Sequence, residues 1–177
     1  LGYMHSAQVL VGIGSGFSLT LMGNTHYALE DISLMKTIPG MTVIAPCDAL
    51  EEMKALEDAV QLESPVYIRL YGGTATPIVY HEDFDFKVGK SVTLRKGKDL
   101  QIIATGSMVY MAMQVAEILA GKGVSASVVD MHTVKPLDIE VIDFNAPFIV
   151  SLEEHRMVGG MGDSLADYLS QYNSHPK

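Results

Sequence analysis

Tryptophan is missing from these 177 residues, and cysteine occurs once, at Cys47. A single cysteine excludes any disulfide within the chain, and a reducing cytoplasm is the simplest compartment for it. Positive charge is scarce: 12 lysines and arginines stand against 21 aspartates and glutamates, a formal net charge of −9. With no basic stripe to offset that excess, sequence-independent nucleic-acid binding is excluded. Long apolar runs are lacking as well. None approaches the roughly 18 residues that span a bilayer as a helix, and no signal peptide is visible. The opening "LGYMHSAQ" reads as mid-protein sequence rather than a start. What remains is the composition of a packed globular chain, 48% hydrophobic and 19% charged, with methionine used as core filling.

Short apolar runs alternate with helical patterns. "VLVGIG" (9–14), "TVIAP" (42–46) and "VYIRLY" (66–71) read as buried strands. Between the last two, "DALEEMKALEDAVQL" predicts a helix opened by a capping-box variant at Asp48 and Glu51, with Met53, Leu56, Ala59 and Val60 on one apolar face. A strand, helix, strand unit of this kind suits a parallel sheet. From Gly72 to Val88 the pattern lapses into a linker. A second alternation follows: strands "SVTLRK" and "DLQIIATG" joined by a turn at Gly97, a long helix "SMVYMAMQVAEILAGKG", a strand "VSASVVDM", a short helix "PLDIEVIDF", a strand "FIVSLEE", and a glycine turn leading to helix "GGMGDSLADYLSQY". The expected fold class is α/β, two consecutive mostly parallel α/β/α units. The first is incomplete, with exposed sheet flanks.

Several motifs carry chemistry. "GIGSG" (12–16) follows a strand, but its spacing is not G-x-G-x-x-G and no convincing helix follows, so it reads as a close-approach loop and not a nucleotide fingerprint. In "GNTHYALED" (23–31), Gly23 and Asn24 are turn residues, Thr25 is a helix N-cap candidate, and Glu30 and Asp31 suit a first turn. His26 is thereby expected at a helix start, where the dipole disfavours imidazolium and a neutral ring donates from a defined edge. The alternative is a histidine that only packs a helix start. His26 and Glu30 are four apart, yet no third ligand is spaced nearby, so a metal pair is set aside. Lone Cys47 beside Pro46 reads as buried rather than nucleophilic. Arg69, inside an apolar strand near its carboxyl end, is either an anion ligand facing the crevice or half of a buried salt bridge. "EEHRMVGGMG" (153–162) offers a catalytic dyad, a subunit contact or a loop network.

Taken together, "GNTHYALEDISLMKTIPGMTVIAPCDALEE" resembles the T-H-x-x-x-E-D, P-G-M-x-V and P-x-D-x-x-E run of the transketolase family. "PVYIRLYGG" is similar to the strand that ends that family's pyrimidine-binding domain. "DLQIIATGSMVYMAMQVAEIL", "VVDMHTVKPLD" and "EEHRMVGGMG" resemble successive signatures of its C-terminal domain. The resemblance is nearest to the C-terminal subunit of split transketolases. It implies residues 1–71 as the end of a pyrimidine-binding domain, 72–88 as a linker, and 89–177 as a C-terminal domain truncated at "SHPK". It further implies transfer of a two-carbon ketol unit from a ketose to an aldose with thiamine diphosphate and Mg²⁺, most of whose ligands lie outside this chain. The implied partners are an N-terminal, diphosphate-binding subunit or domain and further copies of the chain in a homo-oligomer. By the same resemblance, catalytic His26 lies near the thiazolium and the substrate hydroxyls, and Arg69 helps bind the acceptor phosphate.

Departures from the family pattern matter. The glutamate that activates the aminopyrimidine, and the aromatic residues stacked on it, lie upstream of the first residue. Met22 stands where classical members carry an aspartate that reads a sugar hydroxyl, and Gly14 where they carry a phosphate-binding histidine. The substrate is therefore not required to be the usual pentose phosphate. Two alternatives stay open: the beta subunit of a 2-oxo acid dehydrogenase, and a non-catalytic assembly or regulatory module, as which the chain alone would behave.

Overall fold

Val9–Ile13 (β1), Thr42–Ile44 (β2) and Val66–Leu70 (β3) form the parallel part of a first sheet, with β3 in the middle. Val66 lies opposite both Val9 and Thr42, so the three strands start level. The structure, a computed structural model, describes residues 1–72, 76–173 and 176–177. Residues 73–75 of the expected linker and 174–175 near "SHPK" lie outside the described residues. Ala49–Ala59 (α2, following the short α1 at Asp31–Lys36) crosses from β2 to β3 as expected. Asp48 caps it by accepting the Glu51 N–H at 3.0 Å. The return bond of the capping box is displaced: the Glu51 carboxyl accepts the N–H of Cys47, 2.7 Å away, instead of that of Asp48.

The expected apolar face of α2 needs correction. Ala55 and Ala59 are buried against Ile44, Val66 and Ile68, whereas Met53, Leu56 and Val60 are exposed. Small alanines let the helix sit close to the sheet, and the larger side chains point away from that contact.

The second sheet holds Val92–Arg95 (β4), Leu100–Ala104 (β5), Ala126–Asp130 (β6) and Ile149–Leu152 (β8), in the order β4-β6-β5-β8. β5 pairs parallel with β6 and β8, while β4 runs antiparallel to β6. The run through Gly97 therefore does not close a hairpin; β6 lies between β4 and β5. A Cβ at Gly97 would come within 2.2 Å of the Ala126 backbone, which keeps that crossing tight. Met108–Ala120 (α3) and Met161–Ser170 (α4) follow the sequence expectation, but "PLDIEVIDF" forms only a 3-10 turn at Ile139–Val141. Its Asp138 cap bonds one N–H of the turn, and its other oxygen is taken by the Ser91 N–H.

One strand joins the halves. Thr133–Lys135 (β7) leaves the second unit and pairs antiparallel with β2, covering one edge of the first sheet. The other edge is β1, where Val11 and Ile13 are exposed. One core runs through both units: Val43, Ala45 and Tyr67 pack with Ile103, Val129 and Met161. The connector is packed as well, with Tyr80 stacked on Phe84 at 3.7 Å and Phe86 stacked on His132 at 4.2 Å. Both sheets are mostly parallel and carry helices, so the α/β class stands. No helix among the described residues is long and apolar enough to cross a membrane.

Candidate functional site

His26 does not open a helix. It ends a 3-10 turn, Asn24–His26, and α1 begins five residues later at Asp31. A helix dipole therefore cannot account for a neutral ring, because Tyr27 is extended and breaks the helical path. Instead, His26 belongs to a closed loop. Gly16 and Ala28 exchange two backbone hydrogen bonds, 2.9 and 3.1 Å long, and the residues between them bulge out. Within the loop Phe17 packs edge-on against Tyr27, and Thr25 Oγ1 lies 3.1 Å from His26 Nδ1. His26 is exposed, beside fully exposed Leu21 and exposed Met22.

Arg69 holds the base of this loop. Of its two readings, the ion pair is the one whose geometry is present. Arg69 is 3% exposed, and its Nε lies 2.8 Å from Asp31 Oδ2. Its Nη2 donates to the carbonyls of Ala28 and Glu154, each at 2.9 Å. Tyr67 donates to the same Asp31 oxygen at 2.9 Å, and burial, then the Asp31 charge, pushes its phenol well above the usual range. The sequence pointed to the arginine but not to Asp31 as its partner, although an arginine in an apolar strand demands a carboxylate.

"EEHRMVGGMG" closes the same region from the second unit. Its third possible role, a loop network, is what the contacts show. Glu153 accepts the N–H groups of Met161 and Gly162 at the start of α4, at 2.7 and 2.8 Å. Glu154 accepts Ser107 Oγ at 3.0 Å, and its carboxylate sits where a Gly16 Cβ would be. Arg156 donates its N–H to the Leu29 carbonyl and pairs with Glu30 at 3.1 Å, while His155 Nε2 accepts the Ser33 N–H. Lys36 binds the carbonyls of Gly159 and Gly160, and burial lowers its pKa despite Asp163 and Glu153 nearby. These contacts stop short of His26.

His26 and Arg69 do not share a pocket. A cleft of about 240 Å³ lies at the carboxyl ends of β1 to β3, lined by Ile13, Pro46, Cys47, Asp48, Leu70 and Tyr71, among others. Neither residue lines it; the two are linked through the Ala28 backbone. The glycine loop beside the cleft has its amides engaged. Gly14 and Ser15 both donate to the Leu70 carbonyl at 3.1 Å, and Gly16 donates to Ala28. An oxyanion cradle needs free N–H groups, and these three are taken.

Comparison with known proteins follows the two units. The family described as "Transketolase, pyrimidine binding domain" matches residues 3–73, and "Transketolase, C-terminal domain" matches 89–177. The chain is 39% identical over 175 residues to a subunit of the apulose-4-phosphate transketolase of Phocaeicola vulgatus, covering 97% of this chain and 56% of that protein. It is 40% identical over 165 residues to a subunit of the 6-deoxy-6-sulfo-D-fructose transketolase of Clostridium sp., covering 92% and 51%. Among solved structures it resembles a split-gene transketolase described as an inactive β4 tetramer. There the TM-score is 0.84 at 34% identity, over 95% of this chain and 55% of that one. The chain spans about half the length of the curated relatives it matches.

Proposed function

The chain belongs to the transketolase family, and on that premise we propose that it forms part of a thiamine diphosphate-dependent transketolase moving a ketol unit from a ketose to an aldose. The observation that carries this reading is the closed Gly16–Ala28 loop. It leaves His26 exposed while Arg69, Asp31 and the 153–156 segment anchor its base. That division suits a side chain that meets substrate from a rigid support. In this proposal residues 1–71 complete a pyrimidine-binding domain, 72–88 link, and 89–177 belong to the C-terminal domain.

The cofactor's charged end does not fit the glycine loop of this chain. The engaged amides of Gly14, Ser15 and Gly16 offer no cradle for a diphosphate. We therefore assign the diphosphate and its Mg²⁺ to an N-terminal, diphosphate-binding subunit or domain, and only the His26 edge to this chain. The split-gene neighbour described as an inactive β4 tetramer supports the inference that the chain alone does not turn over substrate. It also supports a homo-oligomer as the chain's own state. Two relatives are named for sugars carrying a phosphate or sulfonate, which supports an anionic sugar as substrate. Arg69 enters as a positioning residue, since its Nε and Nη2 donors are already engaged inside the protein. The proposal places the chain in the cytoplasm, a reading supported by its single free cysteine.

The test uses the complete two-part enzyme. His26→Ala is expected to lower turnover by roughly 10²-fold, as loss of a positioned polar group does. Its melting temperature stays unchanged, because the ring is exposed. Normal turnover, or loss of activity through melting alone, overturns the assignment.

A further inference from the structure

Three acidic side chains crowd the junction between the two units, away from His26. Asp48 and Glu51 stand at the start of α2, and Asp130 ends β6; Glu51 and Asp130 have no exposed surface. Among the described residues, no lysine or arginine ion-pairs with any of the three. Three buried anions without a cation would be far too costly to hold. At least one must be neutral, and the hydrogen bonds show which.

Asp48 is fully supplied as an anion. Its Oδ1 accepts the Glu51 N–H, and its Oδ2 accepts the N–H groups of Val79 and Tyr80 at 2.8 Å each. Asp130 is supplied as an anion on one oxygen: Oδ2 accepts the Tyr80 hydroxyl at 2.7 Å and the Cys47 thiol at 3.5 Å. Glu51 Oε2 accepts the Cys47 N–H. Two oxygens are left without any donor, Glu51 Oε1 and Asp130 Oδ1. The two carboxyl groups are close: Cys47, Glu51 and Asp130 each bring one ligand atom within 4.8 Å of the others. One proton placed between the two carboxyl groups removes the surplus charge and gives the unpartnered oxygens a donor and an acceptor.

We propose that Glu51 and Asp130 share one proton, carried on Glu51, and that this bond latches the first unit to the second and is released in alkali. Tyr80 belongs to the latch, so the connector is held by it too. Burial first, and then the charge of Asp130, raise the Glu51 carboxyl well above the ordinary range; burial likewise raises Asp130. The groups that face the pair are Cys47 and Asp48 before and at the start of α2, and Tyr80 from the connector. Burial and the surrounding carboxylates drive both the Cys47 thiol and the Tyr80 phenol upward, so each remains a proton donor. His132, two residues past Asp130, stacks on Phe86 and binds Thr133 Oγ1. Cys47, Glu51 and Asp130 each bring one ligand atom within 4.8 Å of the others, which is also a spacing for a small divalent cation. A cation held by all three would need the Cys47 thiol to lose its proton, whereas a shared carboxyl proton displaces nothing.

Two measurements on the protein as purified decide it. Infrared spectroscopy at about pH 8 should show a protonated carboxylic acid, since ordinary carboxyl groups ionise near pH 4. The band should vanish in Glu51→Gln, whose amide donates to Asp130 in place of the acid. In Asp130→Asn the band should shift in frequency, because the Glu51 acid loses its carboxylate acceptor while burial still holds it neutral. Equilibrium unfolding supplies the second readout. A carboxyl raised on folding stabilises fully below its ordinary pKa and loses that contribution as pH rises toward the folded value. The unfolding constant should therefore climb about tenfold per pH unit from this site above about pH 5, and Glu51→Gln should remove that slope. Absence of the acid band in the wild type, or a band unshifted in Asp130→Asn, overturns the proposal. So does a slope unchanged in Glu51→Gln. A melting temperature that rises with Zn²⁺ and falls with chelator, in the wild type but not in Cys47→Ser, would replace the proton with a cation.

Discussion

Replacing Arg69 with leucine separates a positioning arginine from one that reads phosphate. The substitution leaves Asp31 with only the Tyr67 hydroxyl on Oδ2, and Oδ1 already has no partner. It also strips the donor from the carbonyls of Ala28 and Glu154. Breaking one side of a buried pair costs about 3–5 kcal/mol, and each orphaned carbonyl adds about 1–3 kcal/mol if it stays dry. These terms overlap, and Asp31 can rehydrate through its partly exposed side, so about 4 kcal/mol is the expected loss. For a chain of this size that corresponds to a melting temperature lower by about 10 °C. The loop base should loosen with it, so cleavage between Gly16 and Ala28 by a broad protease should accelerate. Removing the charge of Asp31 as well, in Arg69→Leu/Asp31→Leu, should recover part of the loss, because no buried charge is then unpaired. Calorimetric melting of the single and double variants measures this. Kinetics on a phosphorylated and a neutral acceptor should show equal losses on both. A variant that melts within about 2 °C of the wild type and loses only the phosphorylated acceptor would refute the reasoning and return Arg69 to the substrate.

Two further outcomes are expected. Burial lowers His132 from 6.5 to about 4, so on acidification the unfolded chain takes up a proton that the folded chain refuses. Stability from this site is present above about pH 6.5, is lost as pH falls toward 4, and amounts to roughly 3 kcal/mol. His132→Gln should flatten that limb of the unfolding profile. The Glu51→Gln background isolates it, since the shared proton acts in the opposite sense; an unchanged acid limb would show that the ring is hydrated in solution. Gly16→Ala should destabilise the loop base by about 2 kcal/mol or more, because Gly16 has φ +59° and its Cβ would lie 2.4 Å from Glu154 Oε2. Gly40→Ala is the control: its φ is +69°, but nothing lies within 4 Å of the added carbon. Equal losses for the two would place the whole effect in backbone strain and none in the Glu154 contact.

Local signals in the sequence determined much of this protein. Alternating apolar runs and helical patterns were enough for the α/β class, because strand and helix periodicities are properties of short windows. The Asp48 cap was legible for the same reason. The quoted runs carried the family resemblance by themselves. His26 was legible as a residue but not as a conformation. Thr25 and the acidic residues beyond it satisfy every local rule for a helix start, yet the backbone bonds between Gly16 and Ala28 pull the segment into a closed loop. β7 was illegible: "TVK" is three residues before a proline, and its partner strand lies far back in the chain. Arg69 announced that it needed a partner, and only the tertiary fold, which sets the start of α1 beside Arg69, chose Asp31. The proton between Glu51 and Asp130 is the extreme case. Each residue alone reads as an ordinary acid, and the need for a proton arises only when folding buries both together without a cation.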